Sequence, residues 1–290
     1  MAAVLGDGEL PDFWRGLGLP GLIDVHVHFY PERMLRKVWS YFDSVFWTIT
    51  YRGSDAERVA QLADLGVRAY PALSYAHRPG MAAELNAWAL EFARNNPACI
   101  PSATFYPESD NLVYVEKALS AGVRIFKVHV QVGAFDPRDE LLDPVWGMLA
   151  DSGTPVITHA GSGPLPGRHT GPGPLEAVLQ RHPRLTAVIA HMGTPEYAEF
   201  LELADRFERV HLDTTMAFTD FVEGFAPYPQ EKMAMVRELG LAGKILLGSD
   251  FPNIPYSYAH QIEALARLDL GDDWLRAVCW HNAARLLGIP

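Results

Sequence analysis

Very little in this chain points to export, to membranes or to polyanions. Only two cysteines are present, Cys99 and Cys279, far apart and each in apolar surroundings. A disulfide framework is therefore excluded, and buried free thiols in a cytoplasmic protein are expected. No apolar run approaches the ~18 residues that a membrane helix needs. The opening residues have no basic start and no long apolar stretch, so they do not read as a secretory leader. Positive charge is scarce as well: 24 Lys and Arg stand against 35 Asp and Glu, a net charge of −11. Such a surface repels phosphate backbones. Nucleic-acid and membrane partners are not expected; a small-molecule substrate is, and a homodimer stays open. A dinucleotide turn is also missing, because Gly161, Gly163 and Pro166 have the wrong spacing for one.

What is present is an ordinary globular balance, 49% hydrophobic and 20% charged, with 14 Phe, 11 Tyr and 7 Trp spread along the chain. Disorder is excluded. Eight short apolar runs read as strands, over 22–27, 67–73, 100–105, 124–130, 155–159, 186–191, 210–213 and 244–248. Helical stretches over 54–65, 82–95, 111–121, 139–151, 175–181, 195–206, 230–239 and 256–268 alternate with them. Ser54 and Glu57 form a capping box, and Gly66, Gly122, Gly153 and Gly240 are placed to close helices just before strands. Runs apolar on both faces suit parallel strands covered on both sides. The pattern predicts an α/β fold, a (β/α)8 TIM barrel over residues 21–290, with an N-terminal extension over 1–20 and terminal helices over 271–290 packed outside.

In such a barrel the chemistry stands where strands end. Five of the eight strands end in polar residues, four of them in histidine: His26 and His28, Lys127 and His129, His159, His191, and Asp250. Alternation along a strand turns His26 and His28 to the same side. One histidine each from strands five and six and an aspartate from strand eight then converge on the same axis. Imidazole and carboxylate suit zinc, manganese, iron or cobalt, and a catalytic site keeps a position open. Lys127 shares its face with His129, so both enter the mouth together.

The set His26-x-His28, His159, His191 and Asp250, in that order on barrel strands, resembles the metal-dependent amidohydrolase superfamily. The start Ile23-Asp24-Val25-His26-Val27-His28, the stretch Gly248-Ser249-Asp250-Phe251-Pro252 and the terminal His281-Asn282-Ala283-Ala284-Arg285-Leu286-Leu287-Gly288 are similar to its amidohydrolase-related branch. That branch includes aminocarboxymuconate-semialdehyde decarboxylase, other nonoxidative decarboxylases and several hydrolases. The resemblance implies that His26, His28 and His159 bind a main ion, most readily zinc. It makes Asp250 touch the ion and the reactive water, acting as base and then as acid. His191 would polarise the substrate or bind a second ion. Lys127, the strand-four lysine, would bridge two ions as a carbamate in binuclear members; otherwise it serves as a cation for a substrate carboxylate or an acid.

The loops add less. The aromatic loop 29–53 is long enough to cover the site or to pack its own helix. The Gly- and Pro-rich loop 160–174 reads as a stiff wall, with Arg168 as a carboxylate-binding candidate beside His129. Met216, Phe218, Phe221, Tyr228 and Tyr256 suit an apolar or aromatic substrate. Two reactions remain. One is hydrolysis of an amide, ester or lactone by activated water, with Asp250 moving the proton. The other is nonoxidative decarboxylation of an aromatic or unsaturated acid, in which a protonated Asp250 or His191 delivers a proton to carbon.

Overall fold

The computed structural model describes residues 5–290; residues 1–4 of the expected N-terminal extension lie outside that range. Nine strand segments occupy the eight expected positions: β1 Leu22–Ile23, β2 Val67–Pro71, β3 Cys99–Ile100, β4 Ser102–Thr104, β5 Ile125–His129, β6 Val156–His159, β7 Ala187–Ile189, β8 Val210–Asp213 and β9 Ile245–Leu246. All neighbours pair in parallel, in the orders β1-β2-β3 and β4 through β9. The third position is split because Pro101 has no N–H to continue the ladder. Its carbonyl still accepts Arg124 N at 2.9 Å, and Ser102 Oγ donates to Ala72 O at 2.9 Å. The first and last strands meet through Val25 N to Leu247 O at 2.9 Å and His28 N to Phe251 O at 2.7 Å. The architecture is the (β/α)8 barrel that the alternation of runs predicts.

Apolar packing divides into two layers. Ile23, Val25, Leu73, Ile125, Ile157 and Val188 fill the interior of the ring, while Val27, Phe29, Phe126 and Val128 pack outward against the helices. Period-two alternation explains Ile125, Lys127 and His129 on one face of β5. It fails at two places. Val25 and the next residue His26 both face inward, and so do Ala190 and His191. Each break is held by a carboxylate: Asp24 Oδ1 accepts His26 N at 3.0 Å, and Asp213 Oδ1 accepts His191 N at 2.9 Å. At His191 the backbone is left-handed (φ 56°).

The terminal segments are more integrated than an appended arrangement. Leu10 and Trp14, on the helix Leu10–Gly16, belong to the main core, and Trp14 Nε1 donates to Leu65 O at 3.3 Å. At the other end, Ala283 and Leu287 lie one helical turn apart on Asn282–Leu287 and join the inner cluster with Ile23 and Leu246. Within residues 271–290, expected to pack outside, Trp274, Val278 and Cys279 do join the outer layer, and of the buried residues only Ala283 and Leu287 reach the inner cluster. The loop after β1 contains the helix Glu32–Ser44, anchored by Trp39 Nε1 to Asn253 Oδ1 at 3.3 Å and, just beyond it, Trp47 Nε1 to Asn253 O at 2.7 Å. Among the described residues, no helix is long and apolar enough to cross a membrane.

Gly66, Gly122 and Gly153 end helices in the left-handed conformation as expected (φ 87°, 87° and 69°). Gly240 does not. It lies within the helix Met233–Leu241, and Gly243 (φ 93°) makes the turn into β9. A Cβ at Gly240 would come within 2.1 Å of Trp274 Nε1, which donates to Val236 O at 3.1 Å. Glycine is there to let an indole approach the helix. In an open helix, Gly to Ala gains about 1 kcal/mol. Here Gly240→Ala should instead lose about 1–3 kcal/mol through overpacking. Denaturant unfolding checks this, and an unchanged or raised midpoint would contradict the close-approach argument.

Candidate metal centre

The mouth of the ring is a cavity of about 860 Å³ whose floor includes His26, His28, Lys127, His159, His191 and Asp250. His129 lines it too, so seven strand-end residues singled out from the sequence face one space. Arg168 does not. It is exposed on the loop after β6, where Gly163, Pro164 and Leu165 form the wall instead.

Hydrogen bonds fix which imidazole nitrogen faces the cavity. His26 Nδ1 lies 2.9 Å from Asp213 Oδ2, an ionised acceptor, so it carries the proton and leaves the Nε2 lone pair bare. His28 Nδ1 lies 3.0 Å from the carbonyl of Leu73, which can only accept, so its Nε2 is bare as well. Asp250 Oδ1 sits between these lone pairs, 3.0 Å from His28 Nε2 and 3.4 Å from His26 Nε2. With no ion bound, the Lys127 ammonium at His26 Nε2 and a proton between His28 Nε2 and Asp250 relieve the facing lone pairs, and a divalent ion would take their place. These separations are close to the edge of a tetrahedron with bonds of ~2.0–2.1 Å, about 3.3 Å. His26, His191 and Asp250 offer ligand atoms all within 4.8 Å of one another. This donor set fits a divalent ion, with His28 next to it across Asp250.

Two predicted residues make contacts of their own with the site. His159 Nε2 is turned to Gly163 O at 3.1 Å, and its ring stacks on His129 at 3.9 Å and 15°. The stacking follows from register, because His129 and His159 are partners across the β5–β6 ladder. Of the two later histidines it is His191, not His159, that joins His26 and Asp250. Lys127 Nζ lies 2.8 Å from His26 Nε2 and donates into the same lone pair. A metal ion on His26 and the Lys127 ammonium therefore compete for one position.

Burial and charge set the protonation states. Burial pushes His26 down to about 4, with the Lys127 charge adding to it and Asp213 opposing. His191 is likewise pushed down to about 4, chiefly by burial. Burial lowers Lys127 to about 8, which keeps it cationic at neutral pH. Burial alone would raise Asp250, but the hydrogen bond and charge of His28, with His191 and His26, hold it well below the usual carboxylate range. Asp213 is held low in the same way by His26, against the effect of burial. Asp250 has left-handed backbone (φ 73°), a conformation aspartate tolerates better than most residues.

Sequence reasoning passed over two carboxylates. Asp213 ends β8 and was open to the same strand-end argument as the histidines. Asp24 precedes His26 in the motif itself; it accepts Tyr258 OH at 2.9 Å and Ser249 Oγ in addition to His26 N. Asp24 had no such signal, because it acts on neighbours rather than on the open cavity.

A family model described as amidohydrolase matches residues 23–289, and the chain belongs to that family. No curated protein matches. Among solved structures, an uncharacterised TIM-barrel protein from Bordetella bronchiseptica superposes with a TM-score of 0.75 at 20% identity, over 92% of this chain and 98% of that one. 5-Carboxyvanillate decarboxylase from Sphingomonas paucimobilis gives 0.63 at 15% identity, over 94% and 100%. A probable 2-pyrone-4,6-dicarboxylic acid hydrolase from Acinetobacter baumannii gives 0.62 at 16%, over 93% and 100%. The family assignment makes the chain an enzyme of this superfamily, and the three structures share its fold.

Asp213→Asn tests the lone-pair argument. The Asn oxygen would keep the backbone bonds to His191 and Thr215, and its NH2 would face His26 Nδ1. That reverses the His26 tautomer and puts N–H where the lone pair stood. Metal affinity should fall about 10–100-fold, the usual effect of losing a partner behind a ligand. Competition with a chelator measures it, and unchanged affinity would contradict the assignment.

Proposed function

We propose that the protein is a metal-dependent hydrolase acting on a carbonyl group, in an amide, ester or lactone, of a small molecule. The observation that carries this reading is the place of Asp250, whose carboxylate lies 3.0 Å from His28 Nε2 and 3.4 Å from His26 Nε2, where an ion and its water would sit. Beside a bound dication the carboxylate stays ionised and free to accept a proton from water, whereas decarboxylation calls for a protonated acid that delivers one to carbon. The ion would be held by His26, His191 and Asp250, with His28 beside Asp250, and zinc suits this nitrogen and oxygen set. When bound, a divalent ion supplies Lewis acidity, which eases deprotonation of water and polarises a carbonyl.

The chain's own residues do the rest. Asp250 takes a proton from the attacking water at its carboxylate and returns it to the departing nitrogen or oxygen. The water's oxygen is added to the acyl carbon, so the products are an acid and an amine or alcohol. Lys127, cationic at neutral pH, stands ready to neutralise an anionic oxygen of the substrate. His159 keeps the wall Gly163–Leu165 in place and would reach the ion only by giving up Gly163 O. Arg168, exposed and off the wall, has no part in this scheme. Two buried free thiols, Cys99 and Cys279, support a reducing compartment such as the cytoplasm.

Turnover in heavy-oxygen water tests the reaction class. Hydrolysis puts the label into the product acid; release of CO2 with deuterium incorporated from heavy water would mean a decarboxylase. Asp250→Asn, assayed with metal in excess so that the site stays filled, should lose at least ~100-fold in turnover, the low end for a positioned acid–base group. Normal turnover of the metal-loaded variant would assign the proton transfer to another group.

Lys127 decides nuclearity. On the one-ion reading, Lys127→Ala removes a competitor for His26 and leaves the count at one. Elemental analysis checks it: two ions per chain falling to one would make Lys127 a bridge.

A further inference from the structure

The cavity has two unlike flanks. Along one wall the helix Glu32–Ser44 presents a single stripe over its whole length: Arg33, Met34, Lys37, Val38, Tyr41 and Phe42. Val45 extends the stripe, so the wall is about 18 Å long at the helical rise. Its early part carries two cations, Arg33 and Lys37. Arg78, on the loop after β2, lines the same part of the cavity next to His77. His77 senses both Lys37 and Arg78, which together with burial hold its ring below the ordinary range, so these charges are near neighbours.

Among the described residues, Arg33, Lys37 and Arg78 make no ion pair, although Arg36 pairs with Glu32 and Arg52 with Asp43 on the same excursion. Glu84 is the one carboxylate on this flank and pairs with none of them. Three cations left free on a cavity wall, in a chain of net charge −11, form a local field of the opposite sign.

The other flank is apolar. Trp47, Leu165, Met216 and Phe225 line it, Leu165 and Phe225 being 60% and 55% exposed, and Val45, 50% exposed at the far end of the helical stripe, adjoins it. Trp47 packs edge-on against Phe221 at 4.9 Å, which ties this flank to the loop after β8. Open apolar surface of this kind gains about 25 cal/mol per Å² when a ligand covers it. Asp250 and the histidines lie on the floor below both flanks.

We propose that the cavity takes an amphipathic carboxylic acid, with its carboxylate against Arg33, Lys37 and Arg78 and its apolar body against Val45, Trp47 and Phe225. An N-acylated amino acid or an acylated hydroxy acid has this layout, with the carbonyl to be hydrolysed between the two ends. The inference rests on the hydrolase reading for the position of that carbonyl, but the two-ended binding does not depend on turnover.

Binding of 6-phenylhexanoate and of its uncharged amide to the full-length, metal-loaded protein tests it by calorimetry at low salt. The acid should bind about tenfold or more tightly than the amide. Replacing Arg33, Lys37 and Arg78 together with Gln should remove that preference and leave the affinity for the amide unchanged. Phe225→Ser should weaken both probes by a similar factor. Equal binding of acid and amide to the unaltered protein would overturn the proposal. A preference that survives the triple substitution would also overturn it, because the carboxylate would then sit on the ion or on Lys127. Failure of the labelled-water experiment with the preference intact would remove the hydrolase reading alone.

Discussion

One buried carboxylate ties the site together. Asp213 Oδ2 takes the Nδ1 proton of His26, while Oδ1 takes the backbone N–H of His191 at 2.9 Å and of Thr215 at 3.1 Å. A single side chain at the end of β8 thus sets the tautomer of a histidine after β1 and the backbone of a histidine after β7. Left-handed backbone at a non-glycine residue costs about 1–3 kcal/mol and persists only when its surroundings over-determine it. At His191 the Asp213 hydrogen bond is such a constraint, and it brings the ring 5.1 Å from that of His26. Fully buried, Asp213 has no water to fall back on, so its three donors are obligatory partners.

The barrel was legible because parallel strands buried on both sides leave apolar runs, and the helices between them leave caps. The site was legible because strand ends in such a fold converge, and His26, His28, Lys127, His129, His159, His191 and Asp250 do line one cavity. What sequence could not supply was the departure from regular geometry. Two strands break alternation at their last turn, and the acids that hold those breaks act through backbone N–H groups, which spacing does not reveal. The direction of His159 depends on a carbonyl four residues on. Gly240 has the look of a helix end, yet its role is defined by Trp274, 34 positions away in sequence and absent from any local pattern. The aromatic excursion after β1 is both a helix packing its own rings and the wall of the cavity, so the two sequence-level alternatives were not exclusive.

Lys127 and the ion present a choice that the ligand set alone does not make. Each nitrogen lone pair accepts one partner, and His26 Nε2 already receives Lys127 Nζ at 2.8 Å. Binding of a dication must displace that ammonium, take its proton, or convert it to an anion. The first two routes raise the charge near Asp250, the third leaves it unchanged for one ion, and in every case the dication next to the carboxylate favours its ionised form. The ionised form of Asp250 is therefore favoured with one ion or with two.

Asp24 supplies a contrast to Asp250, the proposed base. Both are aspartates in the same buried region, and burial acts on both in the same direction. Asp24 meets only neutral donors: His26 N, Ser249 Oγ and Tyr258 OH. They do not offset burial, and Asp24 is pushed up to about 7. Asp250 meets the His28 ring at 3.0 Å instead, and that hydrogen bond leads the contributions that outweigh burial and send it the other way. Environments that drive two like groups apart assign them different work. Asp24 joins the end of β1 to Ser249 and to Tyr258 at the start of the helix Tyr258–Arg267. Because Ser249 directly precedes Asp250, that anchor fixes the backbone from which the Asp250 carboxylate reaches His28. The acid without cations holds the frame, and the acid among imidazoles is left charged at the mouth of the cavity.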